Sequence, residues 1–119
     1  MGRRILVVDD EPQIRRIMRA VLIAKSCEVT EAECGEDALK LIRTETYDLM
    51  LLDINMPSIT GIEVCIEVRT SSNIPIIIMS AGEENKARAL DAGANDYLKK
   101  PFGVSQIFSC VELHLGKAD

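Results

Sequence analysis

Apolar runs that stop on chemically functional side chains constrain this chain more than any other feature of it. Ile5-Leu6-Val7-Val8 ends on Asp9 and Asp10, Leu49-Met50-Leu51-Leu52 ends on Asp53, and the run Ile74–Met79 ends on Ser80. Short continuous runs of this kind, β-branched as in Ile76-Ile77-Ile78, read as strands covered on both faces. A shorter run, Tyr97-Leu98, leads into Lys99-Lys100-Pro101, and a weak one spans Val29–Ala32. Three acids and a lysine at strand ends meet only if the strands lie parallel in one sheet. Ligands bind such sheets at the carboxyl ends of the strands. The implied pocket is small and acidic, with one cation beside it. It suits a divalent metal and a phosphoryl group.

The stretches between the runs read as helices. Ile14, Ile17, Met18, Val21 and Leu22 follow the spacing of one buried helical face, and Val104, Ile107, Phe108, Val111 and Leu115 do much the same. Glu36–Arg43 turns Ala38, Leu41 and Ile42 inward, and Glu84–Ala92 is stopped by Gly93 in a C-cap position. Ile62, Val64, Ile66 and Val68 alternate with polar residues like a strand. Parallel strands need a crossover, however, so this segment is predicted to be a helix. The result is five strand–helix units in a doubly wound α/β sheet.

Composition narrows the function. The 119 residues suit one domain with a core, and at 47% hydrophobic and 3% aromatic that core is aliphatic. A net charge of -5 without a basic block argues against direct nucleic-acid binding. Cys27, Cys34, Cys65 and Cys110 form no CxxC pair and the single histidine is His114, so they read as free thiols in a reducing cytosol rather than a zinc site. No apolar run approaches a membrane span or a signal peptide, and a cytoplasmic protein is expected.

Each polar residue also has a plainer reading. Asp9 and Asp10 suit a helix start ahead of Glu11 and Pro12, yet adjacent acids on a strand end equally suit a hard cation such as Mg²⁺. Ser80 alone reads as a turn or cap serine. Lysines are usually solvated, which fits Lys99. Lys100 at the sheet edge has counter-ion work to do, and its bond to Pro101 suits a fixed turn, cis included. Tyr97 reads as a half-buried aromatic with its hydroxyl at the surface. Asp53 resists a structural explanation: the next helix starts well downstream, and a lone acid on a buried strand needs a partner. A carboxylate there can attack a phosphoryl centre and form an acyl phosphate.

The ordered set Asp9-Asp10, Asp53-x-x-Met56-Pro57-x-x-x-Gly61, Ser80-Ala81, Ala92–Tyr97 and Lys100-Pro101-Phe102 closely resembles the receiver domain of two-component response regulators. The resemblance runs from Ile5 to about Leu115, and residues 1–119 are expected to form a single receiver domain. It implies a flavodoxin-like fold with strand order 2-1-3-4-5. It implies Asp53 as phosphoacceptor, with Mg²⁺ (or Mn²⁺ in its place) held by Asp10, Asp53 and the backbone carbonyl of Asn55, and by Asp9 through water. Lys100 and Ser80 would contact the phosphoryl group, and Tyr97 would swing inward as a switch residue. A sensor histidine kinase would be the donor, and an output domain or downstream protein the reader.

The Ala92–Phe102 stretch is most similar to receivers of winged-helix transcription regulators. Those imply a homodimer through the fourth helix, fifth strand and fifth helix. Lys86 and Asp96 stand where charged pairs are expected, but Gln106 and Cys110 replace an acid and an arginine. The segment after Ser80 also reads as about two residues short. The chain is expected to be a free-standing receiver or a fragment. It is not expected to be an enzyme beyond self-phosphorylation and autodephosphorylation at Asp53. An aspartyl-phosphate hydrolase would need a second acid where Asn55 stands, and a cap domain. A phosphorylation-independent interaction domain would not need the complete acid set.

Overall fold

A computed structural model describes residues 2–115. In chain order the elements are β1 (Arg4–Val8), α1 (Pro12–Ile23), β2 (Glu28–Ala32), α2 (Gly35–Thr44), β3 (Leu49–Asp53), α3 (Gly61–Arg69), β4 (Ile76–Ser80), α4 (Lys86–Asp91), β5 (Asp96–Lys99) and α5 (Val104–Leu115). The strands form one parallel sheet in the order β2-β1-β3-β4-β5. This is the predicted doubly wound, flavodoxin-like order.

The pleat explains the continuous apolar runs. Ile5, Val7, Leu49, Leu51, Ile77 and Met79 face one side, where they pack on Met18 and Leu22 of α1 and on Ile107 and Val111 of α5. Leu6, Val8, Met50, Leu52, Ile76 and Ile78 face the other, against Ala38 of α2, Val64, Cys65 and Val68 of α3, and Ala89 of α4. Successive side chains of a strand point to opposite faces, so a strand covered on both sides must be apolar throughout.

Helix α3 carries a capping box. The Glu63 N–H donates to Thr60 Oγ1 (3.2 Å), and the Thr60 N–H donates back to Glu63 Oε1 (2.9 Å). Its buried residues, Ile62, Val64, Cys65 and Val68, cover a broad arc because α2, α4 and the sheet crowd around it. That arc is why the segment imitates a strand's alternation.

Three expectations shift. Ile17 and Val104, placed on buried helical faces, are 54% and 49% exposed. Each lies at the flank of its helix's apolar stripe, where nothing covers it. Helix α4 is shorter than Glu84–Ala92. It spans Lys86–Asp91, with Asn85 at the N-cap making no side-chain cap bond and Ala89 its only buried residue. An uncapped Ala-rich segment with so little buried surface has little to extend it. Gly93 does follow the helix with φ +110°, as a C-cap glycine should, and a side chain there would strike Arg69.

Candidate functional site

The site grows from the register of three strands. Val8 pairs with Leu52, and Asp53 pairs with Met79, so the ends of β1, β3 and β4 lie side by side. Asp9 continues the ladder by donating its N–H to the Ala32 carbonyl (3.1 Å). Oxygens of Asp9, Asp10 and Asp53 come within 4.8 Å of one another. Asp9 and Asp53 are buried, at 0% and 3% exposure, and Asp10 is exposed.

Lys100 reaches the pocket from the turn after β5. Its backbone N–H donates to the Ser80 carbonyl (2.7 Å), which fixes the turn against β4. Its Nζ then donates to Asp9 Oδ2 (3.0 Å) and Asp53 Oδ1 (3.1 Å). Glu11 Oε1 stands further off, at 3.9 Å. The Lys100–Pro101 bond is cis. Ser80 is buried at 2% exposure on the same edge, and Asn55 is exposed just past the end of β3.

The electrostatics follow from burial. Desolvation pushes the Asp53 carboxyl up to about 6 from an ordinary 3.8, the Asp9 charge pushes it the same way, and Lys100 opposes both. Burial by itself lowers the Lys100 pKa, but hydrogen bonds and charges from Asp9 and Asp53 outweigh it and the net shift is upward. The lysine therefore stays cationic throughout the physiological range. The donor set is three carboxylates, hard oxygen ligands of the kind Mg²⁺ takes. The residues fit that ion.

Asp9 and Asp10 do not cap α1. Glu11 is the N-cap residue, without a side-chain cap bond, and Pro12 opens the helix. Asp9 Oδ1 accepts from the Glu11 N–H (3.0 Å), so both Asp9 oxygens are engaged and Asp10 is the acid left open to solvent. The Tyr97 ring is half-buried, as expected. Its hydroxyl is not free at the surface, because it donates to the Gly82 carbonyl in the β4–α4 loop.

Several supporting residues escaped the sequence reading. Arg15 donates to the Asp9 carbonyl (2.7 Å) and pairs with Glu31 across to β2 (3.1 Å). No sequence pattern links residues 15 and 31. Gly61 was recognised only as part of a motif. Its N–H donates to the Ile54 carbonyl (2.9 Å), and a Cβ there would collide with the Asp53 carbonyl oxygen and come within 2.9 Å of Ile54 Cα. Backbone cannot swing aside as a flexible side chain can. Gly61→Ala is therefore expected to lower stability by about 1–3 kcal/mol and to displace the Asp53 backbone. A urea midpoint matching wild type would contradict this close-approach account.

The sequence matches the response regulator receiver domain family over residues 5–112, and the chain belongs to that family. It is 42% identical over 117 residues to the transcriptional regulatory protein ResD of Bacillus subtilis, a match covering 97% of this chain and 49% of that protein. It is 38% identical over 109 residues to SrrA of Staphylococcus aureus, covering 90% and 45% respectively. The chain thus spans about half the length of these regulators. Among solved structures, the response regulator TrrA of Thermotoga maritima, in complex with Mg²⁺ and BeF, superposes with a TM-score of 0.89 at 38% identity, covering 97% of this chain and 100% of that one. The receiver domain of a Pseudomonas aeruginosa sensor histidine kinase, with magnesium in its active-site cleft, gives 0.91 at 29% identity, covering 98% and 100%. Among the described residues no helix is long and apolar enough to cross a membrane.

Proposed function

We propose that residues 1–119 form one receiver domain that accepts a phosphoryl group on Asp53 from a histidine kinase and thereby switches a partner or tethered transcriptional output. The observation that carries this is the state of Asp53: a buried carboxylate of raised pKa, flanked by two acids and bonded to one lysine. A raised pKa signals a more basic and more nucleophilic oxygen that is still ionised at pH 7.

Lys100 holds Asp53 Oδ1, which leaves Oδ2 to attack phosphorus. The phosphorus–nitrogen bond of the donor phosphohistidine breaks, its electron pair returns to the imidazole, and a mixed carboxylic–phosphoric anhydride forms. Asp10, Asp53 and the Asn55 carbonyl would hold Mg²⁺, with Asp9 contributing through water, and the ion would supply neutralisation of charge on the phosphoryl oxygens. The engagement of both Asp9 oxygens supports that division of labour. Lys100 and the Ser80 hydroxyl then receive phosphoryl oxygens. Attack by water on the anhydride returns Asp53, the only turnover proposed.

Tyr97 links the site to the α4–β5–α5 face. As Ser80 moves toward the phosphoryl group it draws the β4–α4 loop, and the Tyr97–Gly82 bond transmits or releases that movement. A homodimer through this face would have to engage Asp96, whose carboxylate is already held by His114 at 3.0 Å.

A pH–rate profile with acetyl phosphate tests the Asp53 reading. The rate is expected to fall as pH drops, with an inflection between 3.8 and about 6, because a protonated carboxyl is a poor nucleophile. Bound Mg²⁺ favours the carboxylate and moves the inflection toward the lower limit. A rate that climbs toward acid pH would rule out the ionised carboxylate as nucleophile.

A protein donor needs a surface to dock on. Ile14, Ile17, Phe102 and Val104 line an apolar groove between α1 and α5 that opens beside Lys100. Ile17→Glu is expected to slow transfer from a cognate kinase by about tenfold while leaving acetyl phosphate turnover unchanged. Equal effects on both donors would mean the groove serves only the fold.

A further inference from the structure

The short link between β1 and α1 carries two of the acids, and a side chain of α1 holds it from behind. The β1–β2 ladder ends with Val8 and Ala32. Asp9 is the first residue beyond it, and its carbonyl accepts from Arg15 Nη1 at 2.7 Å. Arg15 Nε donates to Glu31 Oε1 on β2 (3.1 Å). Glu31 Oε2 accepts in turn from Arg19 Nε (2.5 Å), four residues further along the same face of α1. Arg19 also donates to the Val29 carbonyl (3.2 Å). The Arg15 side chain is 14% exposed, against 42% for Arg19.

Asp10 is where this clamp matters. The Asp9 carbonyl and the Asp10 N–H share one rigid peptide plane, so a bond to that carbonyl fixes the direction in which the Asp10 backbone departs. Asp9 itself is held on every polar group. Its N–H donates to the Ala32 carbonyl, its carbonyl accepts from Arg15, and its carboxylate accepts from the Glu11 N–H and from Lys100. Asp10 is exposed and lies outside both β1 and α1, so neither a ladder nor a helical turn sets its place. A merely structural ion pair explains less. Helix α1 is already attached through fully buried Met18 and Leu22, and Arg19 alone ties it to Glu31.

We propose that Arg15, braced by Glu31, is a positioning residue that presets Asp10 for the divalent ion and thereby sets the affinity of the acidic pocket. This rests on the reading of Asp10 and Asp53 as ligands. Without the clamp the Asp9–Asp10 peptide can rotate, and the ion must order it on binding, which weakens binding. Charge acts the other way, because a cation beside the pocket repels a second cation. Glu31 offsets the guanidinium charge from 3.1 Å, so positioning outweighs repulsion.

The test is Mn²⁺ binding to the full 119-residue chain, with the free ion followed by electron paramagnetic resonance at fixed ionic strength and Mg²⁺ as competitor. Arg15→Gln should weaken binding by about tenfold. Arg15→Lys keeps the charge but loses the two-armed fork, and should also weaken it. Arg19→Gln removes a charge from the same ion pair without touching the Asp9 carbonyl, and should bind as wild type does. Asp53→Asn should weaken binding too, which places the ion in the acidic pocket. Thermal melts show which variants are folded, and if Arg15→Gln is not, Arg15→Lys decides. The proposal is overturned by wild-type affinity in both folded Arg15 variants, by tighter binding in Arg15→Gln with Arg15→Lys unchanged, or by an equal loss in Arg19→Gln. Binding that Asp53→Asn leaves untouched lies outside the pocket, and that result overturns the ligand reading together with this one.

Discussion

Asp53→Asn is expected to melt higher than wild type at pH 8 without Mg²⁺, even though it destroys the proposed function. The folded pKa of Asp53, about 6, lies above its ordinary 3.8. The native state thus binds the proton more tightly than the unfolded chain does. The stabilisation from that proton is complete below about pH 4 and is lost as pH rises through 6. At pH 8 the ionised carboxylate costs about 3 kcal/mol relative to its neutral form. Asparagine removes the charge but weakens the bond to Lys100, worth on the order of 1–2 kcal/mol. The net gain is about 1–2 kcal/mol, or roughly 3–10 °C in Tm. Adding Mg²⁺ should narrow the difference, because the ion stabilises the wild-type site through the missing carboxylate. A variant that melts below wild type at pH 8 would mean that Asp53 is not the strained group described here.

Lys100→Met should act in the opposite direction and more strongly. Lys100 Nζ is the hydrogen-bonding cation between Asp9, fully buried, and Asp53. Methionine preserves the length of the side chain but leaves two buried carboxylates facing each other. Breaking one side of a buried pair costs about 3–5 kcal/mol, and here the loss should be largest at pH 8. It should shrink as pH falls and Asp53 takes up its proton, since removing the lysine raises the Asp53 pKa further. Thermal melts across pH check both the size and the slope. A pH-independent loss, or none, would show that the lysine does not balance these acids.

The parts of this molecule that the sequence reveals are those set by local pattern and by strand ends. The parallel sheet is legible because β1, β3 and β4 are apolar on both faces, and because only a parallel arrangement collects Asp9, Asp53 and Ser80. Helix α3 was the hardest element. Its buried residues cover too wide an arc to show a clean stripe, so the helix is legible only from the crossover that parallel strands require; the Thr60-x-x-Glu63 capping box, also present in the sequence, is a local signal that the pattern reading does not use. The exposure of Ile17 and Val104 was not legible, because periodicity places a residue on a face without saying whether a neighbouring element reaches that far. The short α4 depends on an absent cap and sparse contacts. Arg15 and Glu31, which support the Asp9 backbone, come together only through the β1–β2 pairing. Gly61 illustrates the same limit: its motif is visible in sequence, but the collision that demands glycine exists only once α3 starts against the Asp53 backbone.

The central claim is that Asp53 carries the phosphoryl group. Intact-protein mass spectrometry after incubation with Mg²⁺ and acetyl phosphate tests it directly, on wild type and on Asp53→Asn. The account predicts one added phosphoryl group on wild type, none on the variant, and none on wild type when Mg²⁺ is chelated. An equal addition to both proteins would contradict the assignment. So would no addition to a folded wild-type chain with either acetyl phosphate or a cognate phosphorylated kinase.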